Sequence, residues 1–210
     1  VSFCHREAHV IADECGAPEF FSHGARLAPV DGAEGKMDPT ILEAEIGRFP
    51  PAFVHGGQPM AVTLTQATEA GTVHTADEIR AISKIAKAHG LPLHMDGARF
   101  ANACASLDAT PAEITWQVGV DALCFSGTKN GLAFGEAILF FNRELAEDFS
   151  YRCKQAGQLA SKMRFISAPW LGLLESGAWL TNAQHANAMA RYLSEGLQAL
   201  PGVSLMFPTQ

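Results

Sequence analysis

The 210 residues carry a net charge of −7 and a pI near 5.6, with 48% hydrophobic and 18% charged side chains. That length buries one substantial core but is short for two. Acidity without any Lys/Arg block argues against nucleic acid or an anionic membrane surface, both of which attract basic patches, and points to a small molecule or another protein as partner.

The chain opens, without Met, inside a predicted strand at Val1–Cys4. His5 and His9 stand at a spacing that can suggest a metal pair. No third ligand follows at a sensible spacing and the segment reads as a strand, so no metal is expected. Ala61–Thr65 is a β-rich run, followed by a glycine-containing loop from Gln66 to Val73. Thr75-Ala-Asp-Glu78 has the form of a capping box, in which hydroxyl and carboxylate satisfy orphan amides at a helix start. The helix it opens carries Ile79, Ile82, Ile85 and Ala86 at helical spacing and stops at Gly90. A short strand, Leu91–Met95, leads into the turn Asp96-Gly97-Ala98-Arg99. A second helix is expected from Thr110-Pro111 to Val118, then a buried strand at Asp121–Phe125 and a further strand at Gly135–Phe141. Strand, helix, strand, helix, strand in this order predicts a mostly parallel α/β sheet.

From Arg143 to Leu200 the pattern is helical, with a domain boundary expected after about residue 170, and the chain closes on a predicted strand, Val203–Phe207. A strand with nothing after it to pair with reads, like the opening, as the middle of a longer protein truncated at both ends. No apolar run approaches the roughly 18 residues that span a bilayer, and the first residues do not form a basic segment followed by an apolar one. Cys4, Cys15, Cys104, Cys124 and Cys153 are scattered with no Cys-x-x-Cys, which reads as reduced thiols in a cytoplasmic protein.

Asp96 and Lys129 each follow a predicted strand, 33 residues apart, with one crossover helix between them. Ligands of open α/β sheets bind outside the carboxyl ends of the strands, and this spacing suits one βαβ unit, so both side chains can reach one crevice. A lysine amine and a carboxylate so placed suit pyridoxal phosphate: the amine condenses with the cofactor aldehyde, and the carboxylate keeps the pyridine nitrogen protonated. Taken alone, an aspartate at a strand end is as a rule a cap or turn former, and a loop lysine is as a rule solvated.

Several motifs in register decide between these. His94-Met-Asp96-Gly-Ala-Arg99 resembles the H-x-D-G-A-R stretch of threonine aldolases, within the family of β-eliminating lyases. Phe125-Ser-Gly-Thr-Lys129-Asn-Gly131 resembles the family's Schiff-base lysine segment. Glu7-Ala-His9-Val with Gly16–Pro18 resembles the region of its ring-stacking histidine, and Gln155–Arg164 the stretch whose arginine reaches the cofactor phosphate. The resemblance runs over nearly the whole chain. It implies a fold-type-I, transferase-like large domain over residues 1–170, and over 171–210 a helical connection with the first strand of a small domain. It implies Lys129 as the imine lysine, Asp96 at the ring nitrogen and His9 over the ring. Arg99 would be on the substrate carboxylate or the phenolic oxygen, and Arg164 on the phosphate. The implied reaction is aldol cleavage of L-threonine or a related β-hydroxy-α-amino acid to glycine and an aldehyde, in a homodimer or homotetramer. Another fold-type-I activity, β-elimination or transamination, and an inactive fragment are the alternatives. One departure stands out: many threonine aldolases carry a histidine in a T-H-N-G segment where this chain has Thr68-Glu69-Ala70-Gly71. Glu69, His9 or a water is then left to handle the hydroxyl proton.

Overall fold

Thr75 and Glu78 form both halves of the predicted box: the Thr75 hydroxyl accepts from the Glu78 amide, and the Glu78 side chain accepts from the Thr75 amide. The helix they open buries Ile79, Ile82, Ser83 and Ala86 as one stripe. Burying an isoleucine contributes roughly 1.5–3 kcal/mol, so this stripe rather than helix propensity holds the segment to the sheet.

The computed structural model describes residues 1–210. In chain order the elements are β1 (Ser2–His5), α1 (His9–Ala12), α2 (Ala17–Phe21), β2 (Leu27–Val30), α3 (Pro39–Gly47), β3 (Ala61–Thr65) and α4 (Ala76–Ala88). There follow β4 (Leu93–Gly97), α5 (Phe100–Leu107), β5 (Ala122–Ser126), β6 (Glu136–Phe140), α6 (Phe149–Gln155), α7 (Arg164–Glu175) and α8 (Ala178–Gln198). They build one six-stranded sheet in the order β2-β1-β3-β4-β5-β6, parallel except for β6. The five parallel strands therefore all end at the same edge. The connection after β1 turns toward β2 and the one after β3 turns the opposite way toward β4, which opens a crevice between β1 and β3.

Alternation along the strands separates two faces. Phe3, Val62, Leu64, Leu93, Met95 and Leu123 share the apolar face, in register and buried, and form the core with Ile79, Ile82, Ala86 and Phe100. The opposite face carries Thr63, Thr65, His94, Asp96 and Cys124. The mostly parallel α/β sheet agrees with the sequence.

Four local expectations need correction. His9 begins a helical turn rather than continuing the strand, since Ala8 already leaves the ladder and its carbonyl accepts from Ile11 and Ala12. The crossover helix is Phe100–Leu107, not Thr110–Val118; the latter span is a run of turns ending in a 3-10 turn at Trp116–Val118. The buried stripe of Phe100–Leu107 is Phe100 with three small residues, Ala101, Ala103 and Cys104, a pattern whose periodicity is weak in sequence. Strand β4 lies two residues later than expected, so that Asp96 and Gly97 belong to the strand itself. Val203–Phe207 is not a strand: no neighbouring strand offers it a ladder, and the tail is held instead by Gln210, whose Oε1 accepts from the Val73 amide at 2.5 Å. Helix α8 lies over α5, joined by Asn102 Nδ2 donating to Asn187 Oδ1 and Asn187 Nδ2 donating to the Asn102 carbonyl, each at 2.9 Å.

Candidate active site

Asp96 sits one residue from the end of β4, in register with Thr65 on β3 and Cys124 on β5. Its Oδ1 accepts from the Ala98 amide at 3.0 Å, which shapes the turn that follows, and no cation pairs with the carboxylate. The Thr65 hydroxyl beside it is buried and has no partner. Behind Asp96 on the same face, His94 Nε2 lies 3.2 Å from Cys124 Sγ. Burial pushes the His94 ring below its ordinary range, with Asp96 opposing. Burial, then Asp96 and Glu136, push the Cys124 thiol up to about 11. Both are neutral near pH 7, so neither offers Asp96 an ionic partner. Gly97 lets β4 pass close to β5: a Cβ there would stand 2.5 Å from the Cys124 carbonyl oxygen.

Lys129 lies on the 3-10 turn Thr128–Asn130, three residues beyond β5. Its side chain is exposed and makes no hydrogen bond or ion pair, while its amide donates to Ser126 Oγ at 3.1 Å. Glu136 gathers the rest of the turn. Its Oε1 accepts from Ser126 Oγ at 3.2 Å and from the Thr128 hydroxyl at 2.6 Å. Glu136 can do this because it pairs with Ser126 across the antiparallel ladder. Gly127 is required by crowding, since a Cβ would meet the Gly135 carbonyl oxygen at 2.5 Å and the Trp170 ring at 2.7 Å.

At the β1/β3 crevice the His9 amide donates to Glu69 Oε1 at 2.6 Å. The His9 ring faces its own turn, with Nδ1 3.4 Å from Asp13 and Nε2 3.0 Å from Glu14. Arg99 precedes α5, exposed, and lines a cavity of about 450 Å³ with Ala67, Gly71, Val73 and Asn102. The fold thus sets Asp96 and Lys129 on adjacent strand ends, and His9 and Glu69 on the neighbouring pair. Arg164 stands at the exposed start of α7, its guanidinium 4.9 Å from the ring centroid of its neighbour Phe165.

Thr65, Glu136 and the His94–Cys124 pair escaped the sequence reading. Thr65 ends its strand as Asp96 does, a signal available from the strand-end rule. Glu136 and Cys124 depend on strand register, which the sequence does not display.

A family model described as beta-eliminating lyase matches residues 1–210. The chain is similar to the low specificity L-threonine aldolase of a Pseudomonas species, 61% identical over 208 residues, which is 99% of this chain and 59% of that protein. The protein of the same name from Pseudomonas aeruginosa is 60% identical over the same shares. Among solved structures, the threonine aldolase of Leishmania major superimposes with a TM-score of 0.90 at 28% identity, over 100% of this chain and 60% of that one. The chain therefore spans about three fifths of the length of the proteins it matches.

Proposed function

The chain belongs to the beta-eliminating lyase family, and from that premise we propose that its full-length protein cleaves L-threonine, or a related β-hydroxy-α-amino acid, to glycine and an aldehyde with pyridoxal phosphate as cofactor. The observation that carries the proposal is the pair at adjacent strand ends, a Lys129 amine and an Asp96 carboxylate that have no ionic partners. They stand in a chain 61% identical to a low specificity L-threonine aldolase.

The residues present fit the cofactor. Asp96, with no cation beside it and an unpartnered Thr65 hydroxyl in register, offers a half-buried carboxylate of the kind a protonated ring nitrogen needs. When bound, pyridoxal phosphate supplies an aldehyde that condenses with an amine and a ring that takes up the electron pair of the broken Cα–Cβ bond. Lys129 would hold the cofactor through its amine, presented by the turn that Ser126 and Glu136 brace. Asp96 would keep the proton on the ring nitrogen. His9 would cover the ring. Arg99, a planar two-pronged donor, would take the substrate carboxylate or the phenolic oxygen, and Arg164 the phosphate. Selection of aldol cleavage over elimination would lie in orientation, and Arg99, on the substrate carboxylate, would be one of the groups that set it.

The test uses the full-length protein with pyridoxal phosphate. Borohydride reduction and peptide mapping should place the pyridoxyl group on Lys129, and L-threonine should give glycine and acetaldehyde in equal amounts. A label on Lys84 or Lys162, or 2-oxobutyrate with ammonia as the products, would overturn it.

A further inference from the structure

The loop between β3 and α4 is knitted from within. The buried Gln66 side chain spans both main-chain groups of His74, its Nε2 donating to the His74 carbonyl at 2.8 Å and its Oε1 accepting from the His74 amide at 3.0 Å. The Thr68 amide donates to the Thr72 carbonyl at 2.9 Å, and the two hydroxyls stand 2.7 Å apart. Thr72 Oγ1 then donates to the Glu34 carbonyl at 2.6 Å, which anchors the loop to the segment after β2. Only the tip is left outward, and Glu69 is on it, exposed.

Across the crevice, α1 is four residues long and starts after Ala8, which has no side-chain oxygen to cap it. A single helical turn does not sustain itself in water, and its first amides have no partner within the turn. The partner of the His9 amide comes from 60 residues away: Glu69 Oε1, at 2.6 Å. A rigid loop thus delivers a cap to a turn that lacks one, at the point where the sheet's connections diverge.

We propose that Glu69 is a positioning residue that caps the His9 turn from the neighbouring loop and fixes where that turn stands at the crevice, rather than the group that takes the substrate's hydroxyl proton. This rests on the reading in which His9 covers the cofactor. It also accounts for a carboxylate at the Thr68-Glu69-Ala70-Gly71 tip: a main-chain amide requires an acceptor there, and a charged one makes the stronger bond.

Glu69→Gln keeps an acceptor for the His9 amide and loses the charge, whereas Glu69→Ala loses both. In the full-length protein, hydrogen–deuterium exchange of residues 9–12 reports the cap without any cofactor, and an absorbance titration with pyridoxal phosphate reports its consequence. Glu69→Ala should speed exchange in that segment by about tenfold and weaken cofactor affinity by a similar factor, the size of one lost cap. Glu69→Gln should stay within about threefold of wild type in both, because the amide oxygen still accepts. Unchanged exchange in Glu69→Ala would overturn the cap. A Glu69→Gln variant with wild-type exchange and affinity but a kcat reduced by about a hundredfold would make Glu69 the base instead, and overturn the proposal. Should the wild type neither bind pyridoxal phosphate nor cleave threonine, the proposed function fails, and the exchange comparison still decides the cap.

Discussion

Asp96 and Lys129 are opposite charges that the fold leaves without ionic partners on neighbouring strand ends, and that is unusual enough to test side chain by side chain. Asn in place of Asp96 keeps an oxygen for the Ala98 amide but carries no charge. Asp96→Asn should leave the thermal midpoint near wild type and lower kcat/KM for threonine by about a hundredfold or more, at roughly 1.4 kcal/mol per tenfold. Near-normal turnover would reduce Asp96 to a turn former. His74 makes a separate prediction. It is buried, both ring nitrogens lack partners, and burial followed by Lys36 lowers its pKa from 6.5 to about 4. Unfolded, the ring takes up a proton below 6.5; folded, it refuses one until about 4. Stability is therefore complete above 6.5 and drains as pH falls toward 4, by at most about 1.4 kcal/mol per pH unit. Urea midpoints of wild type and His74→Leu at several pH values between 7.5 and 4.5 measure this, and the variant should show the shallower loss. Parallel curves would show that the ring titrates freely.

At the scale of elements, α4 was legible because its signals are local: a capping box at one end, isoleucines on one stripe and Gly90 beyond the other. Thr75→Ala should lower unfolding free energy by about 1 kcal/mol in urea titration, and a change under about 0.3 kcal/mol would show that tertiary packing alone sets the helix start. Helix α5 was misplaced for the complementary reason. Its sequence, Phe-Ala-Asn-Ala-Cys-Ala-Ser-Leu, turns Phe100 with the small residues Ala101, Ala103 and Cys104 into the core, and that stripe has meaning only once the sheet is in place. The tail at 203–207 shows the same limit for strands. Its β-rich composition needs a neighbour to ladder with and finds none, and the bond that ties down the tail comes later, from the Val73 amide to Gln210.

For the molecule as a whole, Arg164 raises the question of assembly. It opens α7 and is exposed. We propose that Arg164 reaches the phosphate of a neighbouring copy's site in a homo-oligomer of the full-length protein. Full-length subunits carrying Lys129→Ala, mixed with subunits carrying Arg164→Ala, should then recover part of the activity. Hybrid dimers would hold one site with both groups and one with neither. A verified heterodimer that stays inactive would mean that each site is built within one chain.

The order of strands and helices around the chemistry is legible from residue types alone, as are the segments that bear Asp96, Lys129, His9 and Arg99. These follow from local composition, spacing and motif. Which side chains meet depends on the assembled sheet. Strand register sets Thr65 and Cys124 beside Asp96 and brings Glu136 under the lysine turn. The reversal of strand order between β1 and β3 carries Glu69 to the His9 amide. Register and strand order are fixed by burying one continuous apolar face across all strands at once, a condition on the whole chain that no window of sequence contains.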